Sequence, residues 1–266
     1  MSAIRPPAVA GMFYPADPTE LAHQVEHFLT DAKPFKLIPK ALIVPHAGYP
    51  YSGAVAATAY ATLYPIASQI RRVVLLGPTH RVAVRGLALP GAEAFGTPLG
   101  RVMLDKEAMQ SIADLPQVTV SSQVHALEHA LEVQLPFLQT VLQDFKLLPL
   151  AVGMANAEEV TQVLESLWGG QETLIVISSD LSHYLPYRIA QRIDGETVQS
   201  ILNLQQPISH ERACGGTPIS GLILAAKRHR LTPHLLDLRN SGDTAGSTDQ
   251  VVGYAALAFT EESRDE

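Results

Sequence analysis

The strongest constraint on this chain is a series of short apolar runs, most of which stop at a polar residue. Ala41-Leu42-Ile43-Val44 stops at Pro45-His46, and Arg72 to Leu76 stops at Gly77-Pro78-Thr79-His80. Thr173 to Ile177 ends at Ser178-Ser179-Asp180, and His234 to Leu238 ends at Asn240-Ser241-Gly242-Asp243. Leu147 to Val152 and Val251 to Phe259 are further runs. Strands with so little polar alternation are buried on both faces. Stretches at 53–63, 106–113, 125–142, 157–168, 189–204 and 219–228 read as helices between them. Strands alternating with helices predict an α/β fold, a three-layer α/β/α sandwich with a mixed, largely parallel central sheet. The first helix is predicted from Asp17-Pro18-Thr19-Glu20, a cap followed by proline, with Leu21, Val25, Phe28 and Leu29 on its inner face.

Composition narrows the function classes. A chain of 266 residues with 47% hydrophobic content suits one domain spanning 1–266. The net charge of -7 excludes a general nucleic-acid binder, which needs basic surface to replace phosphate counterions. Cys214 is the single cysteine, which excludes an intramolecular disulfide framework and four-cysteine zinc or iron–sulfur sites. No run approaches the roughly 18 apolar residues of a membrane span, and the start lacks the apolar stretch of a secretory signal. The expectation is a cytoplasmic protein, with room for a homo-oligomer.

In open α/β sheets, ligands bind beyond the carboxyl ends of the strands. His46, His80, the Asp180 and His183 pair, and Asp243 all follow apolar runs. Side by side on parallel strands, they would converge on one rim. Two imidazoles and one carboxylate on one face of an ion suit non-haem Fe(II), and the same set holds catalytic zinc. His183 would then move protons, with Asp180 fixing its tautomer.

A second pattern is His125-Ala126-Leu127-Glu128-His129, which fits the H-x-x-E-H string of inverted zinc peptidases. Leu127, Leu131, Leu135 and Leu138 make packing its main role, with Pro136 breaking the helix. His125 or His129, near the helix start, is the one to point into the site as a substrate donor. Tyr49 and Tyr184 flank the strand-end histidines as walls for a planar substrate. Cys214, without an evident neighbouring base, reads as pocket lining.

At these residues the chain resembles a known family. Arg5 to Pro15 (RPPAVAGMFYP), Val44 to Gly53 (VPHAGYPYSG), Leu76 to His80 (LGPTH), Glu128 to Leu138 (EHALEVQLPFL), Ser178 to Tyr184 (SSDLSHY) and Val252 to Ala256 (VGYAA) resemble, in order, the Memo family. In bacteria and archaea this family is also labelled AmmeMemoRadiSam system protein B. The resemblance implies a fold shared with LigB-type class III extradiol dioxygenases. It implies His46, His80 and Asp243 as metal ligands, with His183 at the proton-transfer position. Asp243 stands where some eukaryotic members have cysteine, which argues against copper or thiolate redox chemistry and favours a harder ion such as Fe(II), with zinc or copper as the alternatives. The bacterial label implies a functional link to a radical-SAM protein and an AMMECR-domain protein.

Three readings follow. The leading one is an Fe(II)-dependent, dioxygenase-like oxidoreductase acting on a small or protein-linked substrate. The second is a non-catalytic protein that captures a small molecule or peptide in the same cleft. The third is a zinc hydrolase built on His125, Glu128 and His129.

Overall fold

A computed structural model describes residues 4–261. In chain order its elements are β1 (Ile4–Arg5), α1 (Pro18–Asp31), β2 (Pro39–Val44), α2 (Tyr49–Tyr60), β3 (Arg72–Pro78), β4 (Leu87–Leu89), β5 (Ala94–Thr97) and β6 (Gly100–Met103). Then come α3 (Lys106–Ile112), β7 (Val118–Val120), α4 (Ser122–Ala126), α5 (Leu135–Val141), β8 (Lys146–Val152), α6 (Ala157–Leu167) and β9 (Thr173–Ser178). The chain closes with β10 (His183–Leu185), α7 (Tyr187–Leu202), α8 (Gly216–His229), β11 (Leu231–Asn240) and β12 (Val251–Glu261).

The apolar runs form the middle of the main sheet, whose order is β10-β12-β2-β9-β3-β8-β4-β7, with β11 also against β12. Side chains alternate between two cores, as the pleat requires. Leu42, Val44, Val73, Leu75, Leu147, Leu174 and Val176 pack under α1, α2 and α5. Ala41, Ile43, Val74, Leu76, Leu148, Leu150, Ile175 and Ile177 pack under α3, α6, α7 and α8. The fold is therefore the three-layer sandwich expected. The β2, β9, β3 and β8 ladders are parallel, whereas β12 runs antiparallel to β2, β10 and β11, and β4 antiparallel to β8. A small second sheet joins β1, β5 and β6. Among the described residues no helix is long and apolar enough to cross a membrane.

Helix α1 starts as the sequence predicts, with the Asp17 carboxylate accepting from the N–H groups of Thr19 and Glu20. The helix expected over 125–142 is broken. α4 stops at Ala126, a single 3-10 turn covers Glu132–Gln134, and α5 begins at Leu135 with Pro136 in its first turn. The acids of this stretch hold partners elsewhere instead. The Glu132 carboxylate, fully buried, accepts from the Arg5 guanidinium, the N–H of Ala8 at 2.7 Å and of Val9 at 3.0 Å, and the Tyr14 hydroxyl at 2.5 Å. Arg5 also donates to the carbonyls of His125 at 2.9 Å and Glu128 at 2.5 Å. The N-terminal stretch thus clasps the 125–132 segment and holds it out of a helix.

Candidate metal centre

The parallel order β2-β9-β3 places three strand ends next to one another at one edge of the sheet. His46 follows β2, Asp180 follows β9 and His80 follows β3. The 127–131 segment crosses above them and adds His129. Ligand nitrogens of His46, His80 and His129 all lie within 4.8 Å of one another.

Neighbouring groups decide which ring nitrogen faces inward. The Ser178 hydroxyl donates to the Ala130 carbonyl at 2.6 Å, so its oxygen accepts from His46 Nδ1, 2.9 Å away. That leaves His46 Nε2 with its lone pair. Ser178 also accepts from the Gln134 amide at 2.8 Å, and Gln134 donates to the Pro45 carbonyl at 2.8 Å. The Glu128 carboxylate accepts from His80 Nδ1 at 2.9 Å and from the His80 N–H at 2.6 Å, which frees His80 Nε2. This is the carboxylate–histidine pairing that orients metal-binding imidazoles. His129 is stacked on the His80 ring at 4.6 Å and tilted against Phe13 at 4.8 Å. Its Nδ1 is buried without a hydrogen-bond partner. A buried polar atom left unpaired amid two other freed imidazole nitrogens fits a cation at this point.

Electrostatics agree with ligand chemistry. Burial, then the His80 charge, lowers His46 to about 3. Burial, then the His46 charge, lowers His129 to about 4. Both rings are therefore neutral near pH 7, as metal ligands must be. Burial opposes ionisation of Glu128, but hydrogen bonds from the His80 ring and backbone and from Ala130 outweigh it and bring the acid down to about 2.

The other expected residues fall in several places. Asp180 is buried, and its carboxylate accepts from the His46 N–H at 2.7 Å; it holds the His46 backbone rather than the His183 ring. Burial raises its pKa above the ordinary carboxylate value. His183 lines a cleft of about 690 Å³ together with His80 and Cys214. Tyr184 beside it is exposed, with φ of 56° and its ring 5.9 Å from that of His183. Cys214 sits with Sγ 3.4 Å from His46 Nε2, and burial, then the Asp180 charge, pushes its thiol up to about 12. The neutral thiol donates to the Asp180 carbonyl at 3.7 Å, which leaves the His46 Nε2 lone pair free.

Four expectations are corrected. Asp243 is not in the group of converging ligand atoms. Its carboxylate closes its own 3-10 turn by accepting from the Asn240 N–H at 2.9 Å, and it accepts from the Tyr187 hydroxyl. Its strand, β11, borders β12 rather than the histidine-bearing strands, and β10 flanks the near end of β12. Tyr49 belongs to the core, where its hydroxyl donates to the Val133 carbonyl at 2.8 Å and its ring packs on Phe137. His125 is buried against the Ala88 carbonyl at 2.8 Å and against Phe95, away from the cleft lining. Because α4 ends at Ala126, His125 and His129 do not form a helical pair, and Glu128 is spent on His80, so the zinc hydrolase arrangement is absent. Sequence reasoning missed Ser178 and Gln134. Their signal was polar side chains embedded in otherwise apolar runs.

Comparison with known proteins follows from this geometry. The family model described as Memo-like protein matches residues 5–258. A MEMO1 family protein of Methanosarcina barkeri is 37% identical, with 96% of this chain and 99% of that protein covered. A MEMO1 family protein of Aquifex aeolicus is 36% identical over the same shares of the two chains. The crystal structure of uncharacterized protein JW3007 from Escherichia coli K12 superposes with a TM-score of 0.48 at 16% identity, covering 80% of this chain and 98% of that one.

Proposed function

Because the chain belongs to the Memo family, we propose that it carries a mononuclear metal centre on His46, His80 and His129 and uses it as a dioxygenase-like oxidoreductase. The observation that carries this reading is the convergence of three imidazoles beside an open cleft, two of them with their outer nitrogens already committed to Glu128 and Ser178. Imidazole ligands suit Fe(II), zinc and copper alike; the dioxygenase-like reading takes Fe(II) among them. Bound there, Fe(II) would supply dioxygen activation, with substrate taking positions the protein leaves open.

The chain's own residues have separate tasks. Glu128 fixes the His80 ring and Ser178 fixes the His46 ring. Asp180 anchors the His46 backbone. The His183 ring has no hydrogen-bond partner among the described residues and lines the cleft, so it is available to exchange a proton with a hydroxylated substrate. The protonated thiol of Cys214 is a wall of the cleft, not a nucleophile. The substrate is a small or protein-linked molecule. The functional link to radical-SAM and AMMECR-domain proteins belongs to the same proposal.

The test is untagged protein prepared anaerobically and loaded with Fe(II), zinc or copper. One ion per chain is expected, lost in His46→Ala and in His129→Ala. The iron form should take nitric oxide with a characteristic EPR signal and consume dioxygen with a catechol-type substrate. His183→Ala should keep iron and lose consumption. No bound ion in the wild type, or retention in both ligand variants, removes the centre. Bound metal with tight ligand capture and no consumption over a broad panel makes the protein a binder.

A further inference from the structure

We propose that the cleft beside the three imidazoles selects a substrate with an oxyanion headgroup on an apolar body, and that Arg212 reads the charge. This rests on the reading of the three-histidine group as the reaction centre.

Two clefts, of about 690 and 460 Å³, share His80, His210 and Cys214, so they are arms of one trough that meets at the histidine group. The larger is of a size that takes small molecules. Leu185 and Ile193 form an apolar part of its wall, and Arg212 and His210 a polar part. Arg81 lines the smaller arm and makes no hydrogen bond or ion pair with the described residues. Among the described residues the one carboxylate lining either arm is Glu211, whose pKa is held below the ordinary value by its own N–H and by Ser209. On a chain of net charge -7, the lining of the two arms sets Arg81 and Arg212 against Glu211 and is positive by one charge. Such a field draws anions in.

Arg212 is held only by Glu196, at 3.3 Å, in an exposed pair. Exposed pairs of this kind contribute little and exchange readily. The planar guanidinium accepts a carboxylate or a phosphate as a bidentate partner. Leu185 and Ile193 offer nothing polar to the rest of the ligand, so that part is apolar. Carboxylic acids and phosphate monoesters share this chemistry.

Benzoate, phenyl phosphate and the neutral benzamide separate the cases by calorimetric titration of metal-loaded protein, with metal content measured on every sample. At least one anion should bind about tenfold or more tighter than benzamide. The stronger of the two identifies the headgroup. Arg212→Gln should erase the preference and leave benzamide binding unchanged. Glu196→Gln, which releases Arg212, should tighten the anion a few-fold and not the amide. Equal binding of anions and amide by the wild type, or a preference that survives Arg212→Gln, overturns the proposal. Protein that binds no metal yet shows the Arg212-dependent preference sinks the metal-centre reading and leaves the anion site standing.

Discussion

Glu128 grips His80 twice, through the ring at 2.9 Å and through the backbone N–H at 2.6 Å. The same oxygen that faces the His80 ring lies 3.5 Å from Nδ1 of His129. One carboxylate therefore orients the His80 ring and lies beside a second of the three converging imidazoles. Glu128→Gln, which keeps an acceptor but loses the charge, should weaken metal binding by about 10–100-fold, as removal of outer partners does elsewhere. Competition with a chelator of known affinity measures it. Unchanged affinity would show that the ring orientation is set by packing alone.

His129 and Asp243 make opposite predictions. His129→Ala should abolish stoichiometric metal binding. Asp243→Ala should retain the metal and lose only about 1 kcal/mol of stability, the usual worth of a turn or helix cap. Elemental analysis and thermal unfolding of the two variants decide the third ligand.

Much of this was legible in the sequence, for a physical reason. A buried parallel strand needs a continuous apolar run, and its end is marked by the first polar group, so β2, β3 and β9 announce His46, His80 and Asp180. Strand order is not written locally. Whether Asp243 reaches the same point depends on β12 standing between its strand and β2, which no single run encodes. The spacing of His125 and His129 suggested one helical face, but the buried demands of Glu128 and Glu132 overrode helix propensity. β4 to β7 escaped notice because they span only three or four residues each.

The Arg5–Glu132 pair is buried on both sides, with side-chain exposure of 5% and 0%. Arg5→Met alone leaves a buried carboxylate without its main counter-charge and should cost about 3–5 kcal/mol. Adding Glu132→Leu should recover part of that loss, although the N–H groups of Ala8 and Val9 and the Tyr14 hydroxyl stay unpaired. Denaturant unfolding of the single and double variants gives both numbers.

Asp194 supplies the pH dependence. Its carboxylate accepts from the Ser182 N–H at 3.0 Å, and burial raises it from 3.8 to about 6. Between about pH 4 and 6 the folded chain holds a proton that the unfolded chain has released. Its contribution to stability is therefore full below pH 4 and is lost as pH rises through 6, an effect of at most about 3 kcal/mol. Asp194→Asn should flatten that part of the stability profile. A profile identical to wild type between pH 4 and 7 would place the titration elsewhere. The carboxylate also occupies the space over Gly253, where an added Cβ would stand 2.0 Å from Oδ2, so Gly253→Ala should be strongly destabilising.

The clasp of Arg5 and Tyr14 on Glu132 gives the histidine group an unusual dependence on remote chain. Two of its rings ride on the sheet, but the third hangs from a segment held by residues between Arg5 and Tyr14. A cation would then report the finished architecture: a sheet folded without its leading stretch would present a two-toothed grip, and tight capture of the ion would mark the moment the beginning of the polypeptide locks down.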